Sequence, residues 1–150
     1  MKLKILLILV ISLICNNAIA KDKYVGKGNL ILDDLEVEWF MKYMSPPAGQ
    51  SPLIFMVAQE DGKSIWSFYY YCPEGSCKET NKNEATKRCA MSAEKYYKNK
   101  KDIECFIFAK GRVVVWDNDV NPAHWKKSAM KSKWSRSELE SKFREFGFLN

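Results

Sequence analysis
Four of the five cysteines, one histidine and a run of lysines set among tryptophans are the side chains of this 150-residue chain with chemistry to offer. Cys72, Cys77, Cys89 and Cys105 have four, eleven and fifteen residues between them. Structural zinc sites built on cysteine use two-residue knuckles, which this spacing lacks, so no metal is expected. Four residues between Cys72 and Cys77 also exceed the two of an exchange-active dithiol. Structural disulfides are left. Three pairings are possible; the pairs nearest in the chain are Cys72 with Cys77 and Cys89 with Cys105, and closing the second loop contributes about 3 kcal/mol in the chain-entropy picture.

The single histidine, His124, follows Asp117 and Asp119 in a loop segment. With a serine or cysteine nucleophile these groups could run a small hydrolase. No nucleophile elbow precedes any serine, and a histidine between Ala123 and Trp125 reads more simply as a surface or packing residue. The paired carboxylates Asp33 with Asp34 and Glu36 with Glu38 stand where a helix starts, and capping and the helix dipole account for them. No glycine-rich phosphate loop is present, so neither a nucleotide nor another cofactor is expected.

Charge is more informative. Segment 78–101 carries +5 and segment 126–150 carries +4, against +6 for the whole chain. Lys126, Lys127, Lys131, Lys133 and Arg136 alternate with Trp125 and Trp134, as a surface for an anionic polymer or for lipid headgroups would. Lys87, Arg88, Lys95, Lys98, Lys100 and Lys101 extend it if the two regions lie side by side. The plainer alternative is a solvated helix face.

Residues 1–20 set the compartment. Lys2 and Lys4, an apolar run from Ile5 to Ile14, and Ala18-Ile19-Ala20 make the three parts of a secretory signal peptide, with cleavage after Ala20. Anchoring through Cys15 would need a small residue before it, and Ile14 stands there. The apolar run is too short to span a bilayer. Residues 21–150 then form one small domain, periplasmic or secreted and expected to be soluble, with an even number of cysteines suited to an oxidising space.

The elements that position these groups follow from periodicity. Tyr24 to Leu32 reads as a brief strand. Asp33 opens a helix, with Glu36 placed for a capping box and Val37, Phe40, Met41 and Met44 as its apolar stripe; Pro46 ends it. Leu53 to Gln59 and Ser64 to Cys72 form an aromatic-rich hairpin. Along its second strand Trp66, Phe68, Tyr70 and Cys72 share one face, and Ile65, Ser67, Tyr69 and Tyr71 the other. Whether Tyr69, Tyr70 and Tyr71 are core or a surface for flat or sugar-like ligands is left open. Glu84 to Lys98 reads as a helix whose inward stripe is Ala85, Cys89, Ala93 and Tyr96, which brings Cys89 toward Cys105. Cys105 to Asp117 is a hairpin apolar on both faces and belongs in the middle of a sheet. Asp117-Asn118-Asp119 is a turn, and Val120 to Lys133 a surface loop. A last helix starts near Ser135 with Leu139, Phe143 and Phe146 inward, and Gly147 stops it so that Phe148 and Leu149 fold back.

Tyr70 to Cys77, the cysteine-bearing helix, Cys105 to Trp116 and Ser135 to Leu149, in that order, resemble small exported proteins predicted from the genomes of marine alphaproteobacteria. Those proteins pair a Cys-x-Ile-Phe-Ala-x-x-Arg-x-x-x-Trp strand hairpin with a short helix ending in Gly-Phe. The resemblance implies an exported compartment and no particular reaction.

The expected fold is α+β: a mainly antiparallel sheet of two hairpins with about three helices, stapled by disulfides. The expected function is a non-enzymatic binding or interaction module for an anionic envelope component, with a small hydrolase using His124 and Asp117 or Asp119 as the alternative.

Overall fold
The computed structural model describes residues 22–73, 77, 82–120 and 133–150. Helix α1 (Asp34–Met44) begins at Asp33, whose carboxylate accepts from the backbone N–H groups of Leu35 and Glu36 at 2.8 and 3.1 Å. Those are two of the donors that a helix start leaves without partners. Val37, Phe40 and Met44 are buried and Met41 is half-buried, as the spacing predicts. Tyr43 joins them, its hydroxyl donating to the Gly111 carbonyl at 2.6 Å.

Strands β1 (Gln50–Glu60) and β2 (Lys63–Pro73) form the first hairpin and run past the ends that alternation suggested. Asp61 and Gly62 both take positive φ, 49° and 75°, as a two-residue turn with the right twist requires. Strands β3 (Cys105–Lys110) and β4 (Val113–Val114) follow, and the antiparallel order is β2-β1-β3-β4. The Cys105 to Asp117 hairpin is therefore central in its first strand alone. β1 takes the middle, with Phe55 to Ala58 fully buried, while β4 is two residues long at one edge. β2 is the other edge and carries no charged residue from Ser64 to Cys72.

β4 stops early because Trp116 turns away to pack on the N-terminal segment. Gly26 donates to the Ile107 carbonyl at 3.1 Å, and the Trp116 indole N–H donates to Gly28 at 2.9 Å. The strand expected over Tyr24 to Leu32 is thus three isolated parallel bridges, Val25 with Ile107, Lys27 with Asp117 and Ile31 with Lys63. The first covers the part of β3 that β4 does not reach, and the last lies instead beside the start of β2.

Each face of the sheet has its own core. On one, α1 and α3 (Arg136–Glu145) enclose Phe55 and Phe108 with Phe40, Leu139 and Phe143. Ser135 caps α3 in a complete capping box with Glu138. Gly147 at φ 73° turns the chain back, so that Phe148 is buried and its carbonyl accepts from Leu32 at 2.9 Å. On the other face lies α2 (Lys82–Tyr96), two residues earlier than the sequence suggested at each end. Ala85, Cys89 and Ala93 are small enough for it to pack closely over Met56 and Ile107. Cys89 meets Cys105 with Cα atoms 6.0 Å apart, and Cys72 meets Cys77 at 5.5 Å, both at disulfide distance. The chain is an α+β fold, with three helices among the described residues, a four-stranded antiparallel sheet and two disulfide staples.

Gly26 is the tightest backbone approach to a side chain. A Cβ there would lie 2.0 Å from ring carbons of Trp116, which is fully buried and has no room to retreat. Gly26→Ala is expected to cost about 1–3 kcal/mol, read as a lower urea midpoint at unchanged slope. An unchanged midpoint would mean that the indole yields.

Candidate functional site
The aromatic strand β2 lies at one edge of the sheet; beyond its bridge to Ile31 at Lys63, its further neighbours among the described residues are helices rather than a fifth strand. On one side, the first turns of α1 bring Leu35, Glu36 and Trp39 against it. On the other, the end of α2 brings Tyr96 and Tyr97. Between these walls runs a cleft of about 460 Å³, floored by Ile65 to Tyr69. Large apolar side chains seldom stay in water in contiguous groups without a reason. Here Leu35 is 53% exposed, Trp39 38% and Tyr96 66%, and these are three of the five large apolar residues left exposed among the described residues.

Tyr96 departs from expectation. The period of α2 places it with the buried Ala85, Cys89 and Ala93, but at the end of the helix it lies over the edge strand and stays exposed. Its ring rests instead on Trp66, 5.0 Å between centroids, with Tyr97 edge-on 5.0 Å away. The Tyr97 hydroxyl donates to the Ile65 carbonyl at 2.7 Å, holding this wall to the edge strand. Across the cleft Trp39 meets Tyr69 at 5.9 Å. The Trp66 indole N–H is buried and has no acceptor among the described residues. Of the three consecutive tyrosines, Tyr69 and Tyr71 pack toward Tyr43 on the α1 face, and Tyr70 packs on Phe68 on the other; all are half-buried.

One carboxyl sits in this apolar setting. Glu36 is 2% exposed, and its Oε2 accepts from the Ser64 hydroxyl at 2.9 Å. Ser64 in turn accepts from the Asp33 backbone N–H at 3.1 Å, so it stands where the expected capping box would place Glu36 itself. The serine comes from the first residues of β2, which is why spacing within α1 could not show it. Burial, reinforced by the nearby Asp33 carboxylate, pushes the Glu36 carboxyl up to about 7. Asp33 moves the opposite way, lowered by its hydrogen bond to Glu36.

Two lysines border the rings without lining the cleft. Lys42 Nζ lies 4.6 Å from the Trp39 centroid and is paired with Glu38 at 2.7 Å. Lys100 Nζ lies 5.5 Å from the Tyr97 centroid and is paired with Glu60.

The residues that the sequence singled out fare differently. The four cysteines pair as the nearest-neighbour reading has them. His124, Lys126, Lys127 and Lys131 lie outside the described residues, and so does the loop expected to carry them. Lys133 is exposed, whereas Arg136 is engaged with Glu140 at 2.6 Å and Asp34 at 3.1 Å. Asp117 is tied in through its backbone, donating to Gly26 and accepting from Gly28. Asp119 is exposed at φ 64°. Among the described residues, no three His, Cys, Asp or Glu side chains converge as metal ligands would, and no helix is long and apolar enough to cross a membrane. Comparison with family models, curated proteins and solved structures returns no match. The cleft therefore has to be read from its own chemistry.

Glu36 gives that chemistry a pH signature. In the folded chain it holds its proton up to about 7, while an ordinary glutamate releases it near 4.5. Between those values the folded state binds more protons than the unfolded state, so stability falls as pH rises through the window. Glu36→Gln keeps an acceptor for Ser64 and has no proton to lose. Urea unfolding at ~pH 5 and ~pH 7 should show wild-type stability dropping more steeply than that of the variant. Equal slopes would mean that Glu36 titrates as an exposed residue does.

Proposed function
We propose that this chain is an exported, non-enzymatic binding module whose site is the aromatic cleft over the edge strand β2. The observation that carries this reading is the gathering of Leu35, Trp39 and Tyr96, exposed at stability's expense, around one cavity large enough for a small organic ligand. Two disulfides support an oxidising compartment, the periplasm or the exterior, reached by cleavage after Ala20. The rigid sheet and the two helices would hold the rings in place, so binding needs little reordering.

The test uses the oxidised protein from Lys21 to Asn150 and a fragment set of aromatic, saccharide, ammonium and carboxylate compounds, followed by amide chemical shifts. Hits should shift residues of the cleft. Trp39→Ala and Tyr96→Ala should each weaken the best hit roughly threefold to tenfold without loss of fold. Hits that map elsewhere, or variants that bind as wild type does, would defeat the reading.

A second reading, attachment to an anionic envelope component, keeps one observation in its favour. Lys87, Lys95 and Lys98 are exposed on and just beyond α2 and make no ion pair among the described residues. Together with Lys126, Lys127, Lys131 and Lys133 they would form the basic surface. Association with vesicles containing phosphatidylglycerol should then weaken as salt rises and weaken further on charge reversal at Lys126 and Lys127. Binding indifferent to salt would remove this reading.

A further inference from the structure
We propose that the cleft takes an organic ammonium ion, a quaternary or alkylated amine on a short stem. This rests on the cleft being the binding site and adds the class of ligand.

Charge complementarity is the first ground. The chain has 24 lysines and arginines against 18 acids, yet among the described residues no lysine or arginine lines the cleft, and Glu36 is the one carboxyl that does. In a basic protein, a cavity whose described walls are rings and a carboxyl suits a cation. Glu36 lies behind the rings rather than in the open. Above about pH 7, where Glu36 is ionised, a carboxylate in that low-dielectric position attracts a cation over a longer range than it would in water.

Ring geometry is the second ground. Trp66 meets Tyr96 at 37° and Tyr97 at 81°, and across the cleft Trp39 meets Tyr69 at 53°. Rings set at such angles present their faces in several directions, as an aromatic cage does around an ammonium group. A pyranose ring would call for one flat platform and for many polar partners. The Tyr97 hydroxyl is already committed to Ile65, which leaves a polyhydroxylated ligand one partner fewer.

The third ground is that the protein already places ammonium groups on these rings. Lys42 lies over Trp39 and Lys100 over Tyr97, and neither lines the cleft. Each is neutralised by its own glutamate, Glu38 and Glu60, so neither rim opposes an incoming cation.

The experiment compares choline with its uncharged carbon isostere, 3,3-dimethylbutan-1-ol, by titration calorimetry and amide shifts on the oxidised protein. Choline should bind about tenfold more tightly than the isostere, with shifts at Trp39, Trp66 and Tyr96. At ~pH 8, where Glu36 is ionised, Glu36→Gln should narrow that gap. Equal affinities, or tighter binding of the isostere, would overturn the ammonium assignment while leaving the cleft as a binding site. Failure of both probes, with fragment hits still mapping to the cleft, overturns the assignment in the same way. If sedimentation of the ligand-free protein shows a dimer whose shifts cover these residues, a second copy fills the cleft and the proposal falls.

Discussion

The edges and faces of a few rings around Phe40 fix the arrangement of this domain. Phe40 lies 5.1 Å from Phe55, 5.3 Å from Phe143, and 5.6 Å from both Phe108 and Tyr43, mostly edge to face. Those partners belong to β1, α3, β3 and α1, so one side chain ties four elements together. Edge-to-face pairs add about 0.5–1.5 kcal/mol each beyond the area they bury, and they also set direction. With Phe40 pointing at the middle of the sheet, its neighbour Trp39 has to point aside, toward the edge strand. One wall of the cleft is thus a by-product of the core's own geometry.

Much of the architecture was legible because it rests on local signals. Helix spacing in Val37, Phe40 and Met44, the Ser135 and Glu138 capping box, the Gly147 stop and the inward Cys89 are all written within a few residues of one another. What failed was information held elsewhere in the chain. Nothing near Cys105 to Asp117 says that Gly26 will receive the Trp116 ring, which is what cuts β4 to two residues and leaves β1 central. Nothing in α1 reveals that Ser64 will come between Asp33 and Glu36. The cleft was half visible: the aromatic alternation in β2 was plain, but which helices would flank it depends on strand order. Tyr96 obeys the helical period and is exposed all the same, because period says which side a residue takes and not how fully it is covered there.

The Glu36 network shows a cost accepted next to the site. A carboxyl buried among rings is destabilising unless protonated or well paired. Replacement by an apolar side chain of similar volume would remove that penalty, whereas Glu36 relies on Ser64 and Asp33 for partners. Polar groups retained in apolar surroundings at some expense to stability often have a task. Its place in the wall of the aromatic cleft is consistent with that, and Ser64, bonded to both Asp33 and Glu36, ties the start of α1 to the start of β2.

The long edge strand has a further consequence for how the chain must reach its native state. Ile65 to Tyr71 is an uncharged, aromatic and β-favouring window in an edge strand that, past the Tyr97 bond to Ile65, pairs with no further strand among the described residues, the kind of segment on which other chains stack. Lys63 and Pro73 bracket it, but nothing within it deters pairing. The two helices whose rings make the cleft are also its shutters. Until α1 and the end of α2 have docked, the aromatic side chains of β2 lack their cover, and an uncovered edge strand is open to pairing with another chain. The Cys89 to Cys105 bond, which holds α2 against β3, makes oxidation one of the steps that shortens that exposure.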